Sequence, residues 1–193
     1  NVDHVRAAAL AGQVEFGENR VQEAEDKIKA TQDLSLRWHL IGHLQSNKGK
    51  KAAKIFDSIH SVDRIEIVKK LEAGAPVSGS KLELFVQVDL AGETTKHGAE
   101  EREIREVLDQ ANACSNLSVV GLMLLPPFSE NPEDARPFFR RLRSLRDNLI
   151  RDGYDSSQLR ELSMGMSNDF EVAIQEGATL VRVGSAIFGK RHK

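Results

Sequence analysis

An arginine inside an apolar segment near the end of the chain has the type and position of a ligand contact. Arg182 stands among valines and leucine in the segment TLVRVGSAIFG, and Gly184 and Ser185 follow it. A guanidinium is always charged and is costly to bury without a partner. A glycine lets an anion approach the backbone N–H groups closely, and a following hydroxyl adds a further hydrogen bond to a phosphate. The segment therefore predicts a site for an anionic ligand.

A second polar block precedes this segment and predicts the other half of the same site. Ser167 follows an apolar strand in the block SMGMSND, at the predicted N-cap of the next helix. Barrel proteins bind phosphate with the loops that follow their last two strands. Arg182 lies two residues before Gly184, so both point to one face of a strand, toward the mouth of such a barrel.

Each of these residues also has a purely structural interpretation. Ser167 could act only as a helix cap, and Gly184 only as a turn residue. Arg182 could form an internal ion pair, for example with Glu161 or Asp89 on facing strands. The coincidence of Ser167 and Gly184 at both expected positions favours the phosphate site.

The elements that must position these residues alternate along the chain. Apolar, β-rich runs predict seven strands, at residues 14–16, 36–42, 57–62, 82–90, 117–125, 158–164 and 179–184. Helical patterns predict seven helices, at residues 2–12, 18–32, 47–56, 63–74, 99–114, 132–153 and 167–177. Such alternation is typical of parallel βαβ units, and no Pro- or Ser-rich linker divides residues 1–193, so we predict one domain.

Two architectures fit this pattern. A doubly wound open sheet is possible, but the G-x-G-x-x-G loop after its first strand is absent. A (β/α)8 barrel requires eight strands, so its first strand would have to precede Asn1. A chain that starts with a helix and ends after a strand and a glycine-rich loop predicts a barrel whose first strand is missing.

Composition limits the classes of partner. The chain has 193 residues, a net charge of −2 and a single cysteine, so it shows no basic surplus for nucleic acid and fits a reducing cytoplasm. The longest apolar run, residues 117–125, is too short to cross a membrane. His39 and His43 share a strand end but lack further ligands nearby, so we predict no metal site. The default prediction is a cytoplasmic monomer.

Several motifs resemble a known family in order and spacing. FGENRVQE, WHLIGHLQSNK, GLMLLPP and ELSMGMSNDFEVAIQEGATLVRVGSAIFG are similar to the pyridoxal 5′-phosphate homeostasis proteins. The resemblance extends over essentially the whole chain. It implies an α/β fold, the (β/α)8 TIM barrel of the N-terminal domain of alanine racemases, which here lacks its first strand.

The resemblance also implies a cofactor, pyridoxal 5′-phosphate, and a set of contacts. Arg182 would face the pyridine nitrogen, Ser167, Gly184 and Ser185 would hold the phosphate, Asn19 would lie near the ring hydroxyl, and His39, Met123 and Met164 would line the pocket. The family anchors the cofactor through a Schiff-base lysine at the end of the first strand. Alignment places that lysine a few residues before Asn1, outside this sequence.

Arginine at the pyridine nitrogen has a chemical consequence. A fixed cation disfavours protonation of that nitrogen, and an unprotonated ring is a weaker electron sink. Racemisation also needs an acid and a base on opposite faces of the substrate carbon, and alanine racemases take one of them from a second domain that we do not find here. His39, His43, His60 and His97 are possible substitutes.

The resulting hypothesis is a homeostasis protein that carries pyridoxal phosphate, meets apoenzymes only transiently and has no efficient turnover. A small pyridoxal-phosphate-dependent amino-acid racemase is the alternative. A third hypothesis is a barrel enzyme that acts on a phosphorylated metabolite without the cofactor.

Overall fold

Parallel strands and helices alternate in the computed structural model, which describes residues 1–92 and 97–189. The strands are β1 (Glu15–Glu18), β2 (Arg37–Leu40), β3 (Ser58–Val62), β4 (Leu82–Val88), β5 (Leu117–Leu124), β6 (Glu161–Met166) and β7 (Leu180–Arg182). The α-helices are α1 (Val2–Leu10), α2 (Val21–Ala30), α3 (Gly49–Ile55), α4 (Ile65–Glu72), α5 (Ile104–Asn112), α6 (Arg136–Arg151), α7 (Phe170–Gln175) and α8 (Ser185–Phe188).

All seven strands of the described ranges pair in parallel, in chain order from β1 to β7. Every predicted strand is therefore confirmed. β4 and β5 form the longest pairing, which shifts register once, between Leu84 and Phe85. The sheet order follows from the short helical connections, because each strand–helix–strand unit places the next strand beside the previous one.

The sheet curls into a barrel. The Nδ1 atom of His60 on β3 lies 2.9 Å from the Oγ atom of Ser163 on β6. In a flat sheet these strands would be three spacings apart, about 14 Å. Such a contact is possible only if the sheet curves until distant parts of its inner face meet, so the predicted barrel is confirmed over an open, doubly wound sheet.

Helices α1 to α7 pack around the outside of this barrel through buried residues, whereas α8 has none. α6 illustrates the reason, because its buried residues Phe139, Leu142, Leu145 and Leu149 recur every three or four positions. Pro137 does not interrupt the helix, since it lies in the first turn, where no N–H is required. No helix in the described part of the chain is long and apolar enough to span a bilayer.

The close approach of β5 and β6 generates a first testable prediction. A Cβ atom at Gly121 would lie 2.0 Å from the carbonyl oxygen of Glu161, which is backbone and cannot move away cheaply. We expect Gly121→Ala to lower the free energy of unfolding by about 1–3 kcal/mol in urea titrations. Ser118→Ala, at a half-buried position of the same strand, is the control. Equal stability of the two variants would contradict the packing.

Candidate functional site

The loops that follow β6 and β7 are joined by one hydroxyl. The Oγ atom of Ser167 accepts hydrogen bonds from the backbone N–H groups of Gly184, at 3.0 Å, and Ala186, at 3.4 Å. The prediction that Ser167 caps the following helix is wrong, because α7 begins at Phe170 with Asp169 as its N-cap residue. Ser167 therefore holds the loop before α8 instead of the helix after β6.

The same loop leaves space for a ligand beside its backbone. A Cβ atom added to Gly184 would meet no other atom within 4 Å, and Ser185 is exposed. The backbone N–H of Ser185 has no acceptor among the described residues. An unoccupied N–H and a hydroxyl at a glycine turn have the chemistry of an anion cradle, so the residues present fit a phosphate group.

Arg182 lies half-buried at the end of β7 and makes two hydrogen bonds. Its Nη1 atom donates to Ser163 Oγ at 2.6 Å, and its Nη2 atom donates to the carbonyl oxygen of Leu124 at 2.8 Å. Burial lowers the pKa of Arg182 to about 10, against a weak opposing attraction from Asp169. The guanidinium remains protonated at neutral pH, since that pKa is still well above 7.

Neither ion pair proposed for Arg182 exists. Glu161 pairs with Arg160, and the carboxylate of Asp89 accepts the backbone N–H groups of Ala91 and Gly92. No carboxylate within the ranges that the structure describes lies within ion-pair distance of the Arg182 guanidinium. A cation without an anionic partner at the mouth of the barrel is suited to an electron-rich ligand atom.

Behind Arg182, a chain of hydrogen bonds crosses the barrel interior. Ser163 Oγ lies 2.9 Å from His60 Nδ1, and His60 Nε2 lies 2.9 Å from His39 Nδ1. Because Ser163 accepts a bond from Arg182, we assign its own proton to His60, so that the Nε2–H of His60 donates to His39. The Nε2–H of His39 then has no hydrogen-bond acceptor and lies 3.9 Å from Glu15.

Burial keeps both histidines neutral. It lowers the pKa of His39 and, helped by His39 and Arg182, brings the pKa of His60 well below its ordinary value. His60 also stacks on Phe85, with ring centroids 4.0 Å apart. The sequence analysis considered His60 only as a possible acid or base of racemisation and did not assign Ser163 a role. The available signal was a histidine inside a strand whose residues are all buried.

The other predicted pocket residues separate into three places. Asn19 follows β1 at the mouth and is exposed, whereas Met123 lies inside the barrel with Phe85. Met164 belongs to the core outside the barrel, because it alternates with the inward-facing Ser163. Its predicted place in the pocket is therefore wrong.

His39 also differs from its predicted place. It lines a cavity at the N-terminal ends of the strands, together with Arg37 and Glu83, and not the mouth. It reaches Arg182 only through His60 and Ser163.

The role of Ser163 can be tested by stability. Ser163→Ala removes the acceptor of Arg182 and the partner of His60, so we expect a loss of about 1–3 kcal/mol in the free energy of unfolding. Ser61→Ala is the matched control, since Ser61 is equally buried but its hydroxyl makes no hydrogen bond. We expect that control to be neutral or slightly stabilising. Similar losses in both variants would contradict the role of the Ser163 hydroxyl.

The buried histidines also predict a pH dependence. Their pKa values are lower in the folded protein, so the unfolded chain binds more protons once the pH falls below about 6.5. Stability should be fully present above that pH and should decrease below it, by up to about 1.4 kcal/mol per pH unit for each histidine. Urea titrations between about pH 7.5 and about pH 5 measure the slope of the free energy of unfolding against pH. We expect His60→Gln to make the slope shallower, and an unchanged slope would contradict the assignment.

Comparisons with known proteins agree with this geometry. The family model described as "Alanine racemase, N-terminal domain" matches residues 1–192. A protein of Aquifex aeolicus named pyridoxal phosphate homeostasis protein is 47% identical over 91% of this chain and 76% of its own length. A protein of Pseudomonas aeruginosa with the same name is 40% identical over 97% of this chain and 79% of its own length.

Solved structures extend the comparison to the fold. PipY of Synechococcus elongatus, solved with PLP bound, superposes with a TM-score of 0.89 at 39% identity, over 97% of this chain and 87% of its own. An alanine racemase of Clostridium difficile superposes with a TM-score of 0.79 at 14% identity, over 100% of this chain and 49% of its own, which shows a shared fold alone. The chain belongs to the pyridoxal phosphate homeostasis proteins, within the alanine racemase N-terminal domain family.

Proposed function

We propose that this protein binds pyridoxal 5′-phosphate at the mouth of its barrel and carries the cofactor without efficient turnover. The observation that supports this most directly is Arg182, a half-buried cation held by Ser163 and Leu124, with no carboxylate of residues 1–92 or 97–189 within ion-pair distance. The names of the relatives and the PLP bound to PipY support the choice of ligand.

In this proposal each end of the cofactor has its own residues. The N–H and hydroxyl of Ser185, the open turn at Gly184 and the hydroxyl of Ser167 hold the phosphate. Arg182 lies against the ring nitrogen, and Asn19 lies on the side of the ring hydroxyl. Met123 contributes to the apolar interior below Arg182. His39 and Met164, which the sequence placed in the pocket, have no contact role.

The environment of Arg182 favours holding over turnover. Bound pyridoxal phosphate supplies an electron sink for carbanions next to an amine. Arg182 keeps its positive charge and so disfavours protonation of the ring nitrogen beside it. An unprotonated ring is a weaker electron sink. Its position is set by Ser163 and Leu124, so it cannot turn away when a ligand arrives.

The histidines inside the barrel also argue against efficient catalysis. Both ring nitrogens of His60 are used, one by His39 and one by Ser163. His39 faces the opposite end of the barrel. Neither is free to exchange a proton with a substrate at the mouth, so two of the four histidines considered as racemase acids or bases are unavailable. A monomeric state, a cytoplasmic location and transient contacts with apoenzymes stay predictions from the sequence.

The contact at Arg182 can be measured without covalent chemistry. Pyridoxine 5′-phosphate carries the same ring and phosphate but lacks the aldehyde that reacts with an amine. We expect Arg182→Gln to weaken its binding at least about tenfold in calorimetric titrations, because a charge-assisted hydrogen bond is lost. Arg105→Gln is the control, since Arg105 lies on the outer surface and pairs with Asp152.

Two results would contradict the proposal. An unchanged affinity of Arg182→Gln for pyridoxine 5′-phosphate would show that Arg182 has only a structural role. Robust racemisation of amino acids by the protein with pyridoxal phosphate, lost on substitution of Arg182, would identify a racemase instead of a carrier.

A further inference from the structure

Three metal-ligating side chains meet at the mouth of the barrel, away from the phosphate loop. His43 follows β2, Asp63 follows β3, and His97 precedes a short bridge to the end of β4. One ligand atom from each side chain lies within 4.8 Å of the corresponding atoms of the other two. The expectation that His43 lacks ligands nearby is therefore wrong, because the barrel brings Asp63 and His97 to it.

The backbone of His97 is held in place by β4. The side-chain amide of Gln87, which is buried, donates a hydrogen bond to the His97 carbonyl at 2.6 Å. Gly98 adopts a φ of +151°, and a Cβ atom there would lie 2.7 Å from the backbone nitrogen of Asp89. Only glycine allows this close approach, so the strand itself positions His97 beside His43.

The carboxylate of Asp63 is oriented by a neighbouring side chain. Its side chain is only 7% exposed, and Arg64 donates to its Oδ1 atom at 2.6 Å. Arg64 also donates to the hydroxyl of Ser46, at 3.3 Å, which fixes the guanidinium. A partner that holds one oxygen of a carboxylate orients the other, as the outer partners of metal ligands do.

The two histidines complete the set. Their rings lie nearly parallel, with centroids 3.5 Å apart and an interplanar angle of 15°. Both side chains are exposed, so their rings can rotate to point one nitrogen each at a common centre. Two imidazoles and a carboxylate are a donor set that binds Zn²⁺, with ligands about 2.0–2.2 Å from the metal and a fourth position open to water.

We propose that His43, Asp63 and His97 bind one divalent transition-metal ion of the zinc type at the rim of the barrel. The three residues follow consecutive strands, β2 to β4, whereas Arg182 is the last residue of β7 and Ser167 follows β6. The metal site shares no residue with the proposed cofactor contacts, although the backbone at Gly42, next to His43, lies against that of Asn19. The metal proposal does not rest on the proposed function.

Metal titration tests this proposal. The probes are Zn²⁺, followed by calorimetry, and Co²⁺, followed by visible absorption, added to protein stripped with a chelator and free of pyridoxal phosphate, which itself binds metals. We expect one ion per chain. His43→Gln and His97→Gln should each weaken binding at least about tenfold, since each removes a ligand. His4→Gln, an exposed histidine on α1, is the matched control and should bind as the unmodified protein does.

Further variants separate the outcomes. Asp63→Asn should also weaken binding, and thermal unfolding checks that this buried substitution leaves the protein folded. Arg182→Gln should bind metal normally, because it belongs to the other side of the mouth. The absence of saturable binding would overturn the proposal, as would stoichiometric binding that survives in both His43→Gln and His97→Gln.

Discussion

Ser163 Oγ connects the two sides of the barrel, and the arrangement of the mouth depends on it. It accepts a hydrogen bond from Arg182 on the neighbouring strand and contacts His60 on a strand three positions away. A hydroxyl can do both, since it accepts and donates at the same time. An apolar side chain here would leave the Nδ1 atom of His60 and the Nη1 atom of Arg182 without this partner, at a cost of about 1–3 kcal/mol in the free energy of unfolding. The barrel is therefore joined across its interior by polar as well as apolar contacts.

The charge of Arg182 determines which groups of the barrel interior accept and which donate hydrogen bonds. The guanidinium cannot lose its proton at neutral pH, so the groups behind it must present acceptors, and those groups are Ser163 and the Leu124 carbonyl. His60 and His39 continue the chain in neutral form, because a second buried cation beside Arg182 would be repelled. The side chains directly behind Arg182 are thus neutral, whereas a second cation, Arg37, lies with His39 at the opposite end of the barrel. An electron-rich ligand atom that meets this charge gains electrostatically.

The mouth of the barrel is asymmetric. The loops after β6 and β7 offer backbone N–H groups, hydroxyls and a cation, which suit an anion. The ends of β2 to β4 offer two imidazoles and a carboxylate, which suit a cation. Barrel loops can differ in this way because each follows its own strand and can vary while the strands keep the fold. The two sides therefore present groups of opposite chemical character on one scaffold.

Local pattern was enough to predict the seven parallel strands, and the strand count together with the resemblance to a known family predicted the barrel. That the loops after β6 and β7 bind a phosphate stays a prediction. Apolar periodicity and glycine or serine at strand ends are local properties, and they survive into the structure nearly unchanged. Contacts between distant strands were not predictable. The place of Met164 outside the barrel depends on which residues of β6 face inward. The place of His39 at the N-terminal end of the barrel depends on the position of β2 along the barrel axis. The meeting of His60 with Ser163, like that of His43 with His97, requires the sheet to close. Only that closure turns polar residues far apart in the chain into neighbours, because a hydrogen bond or a ring contact acts over a few ångströms and a sequence pattern carries no such distance.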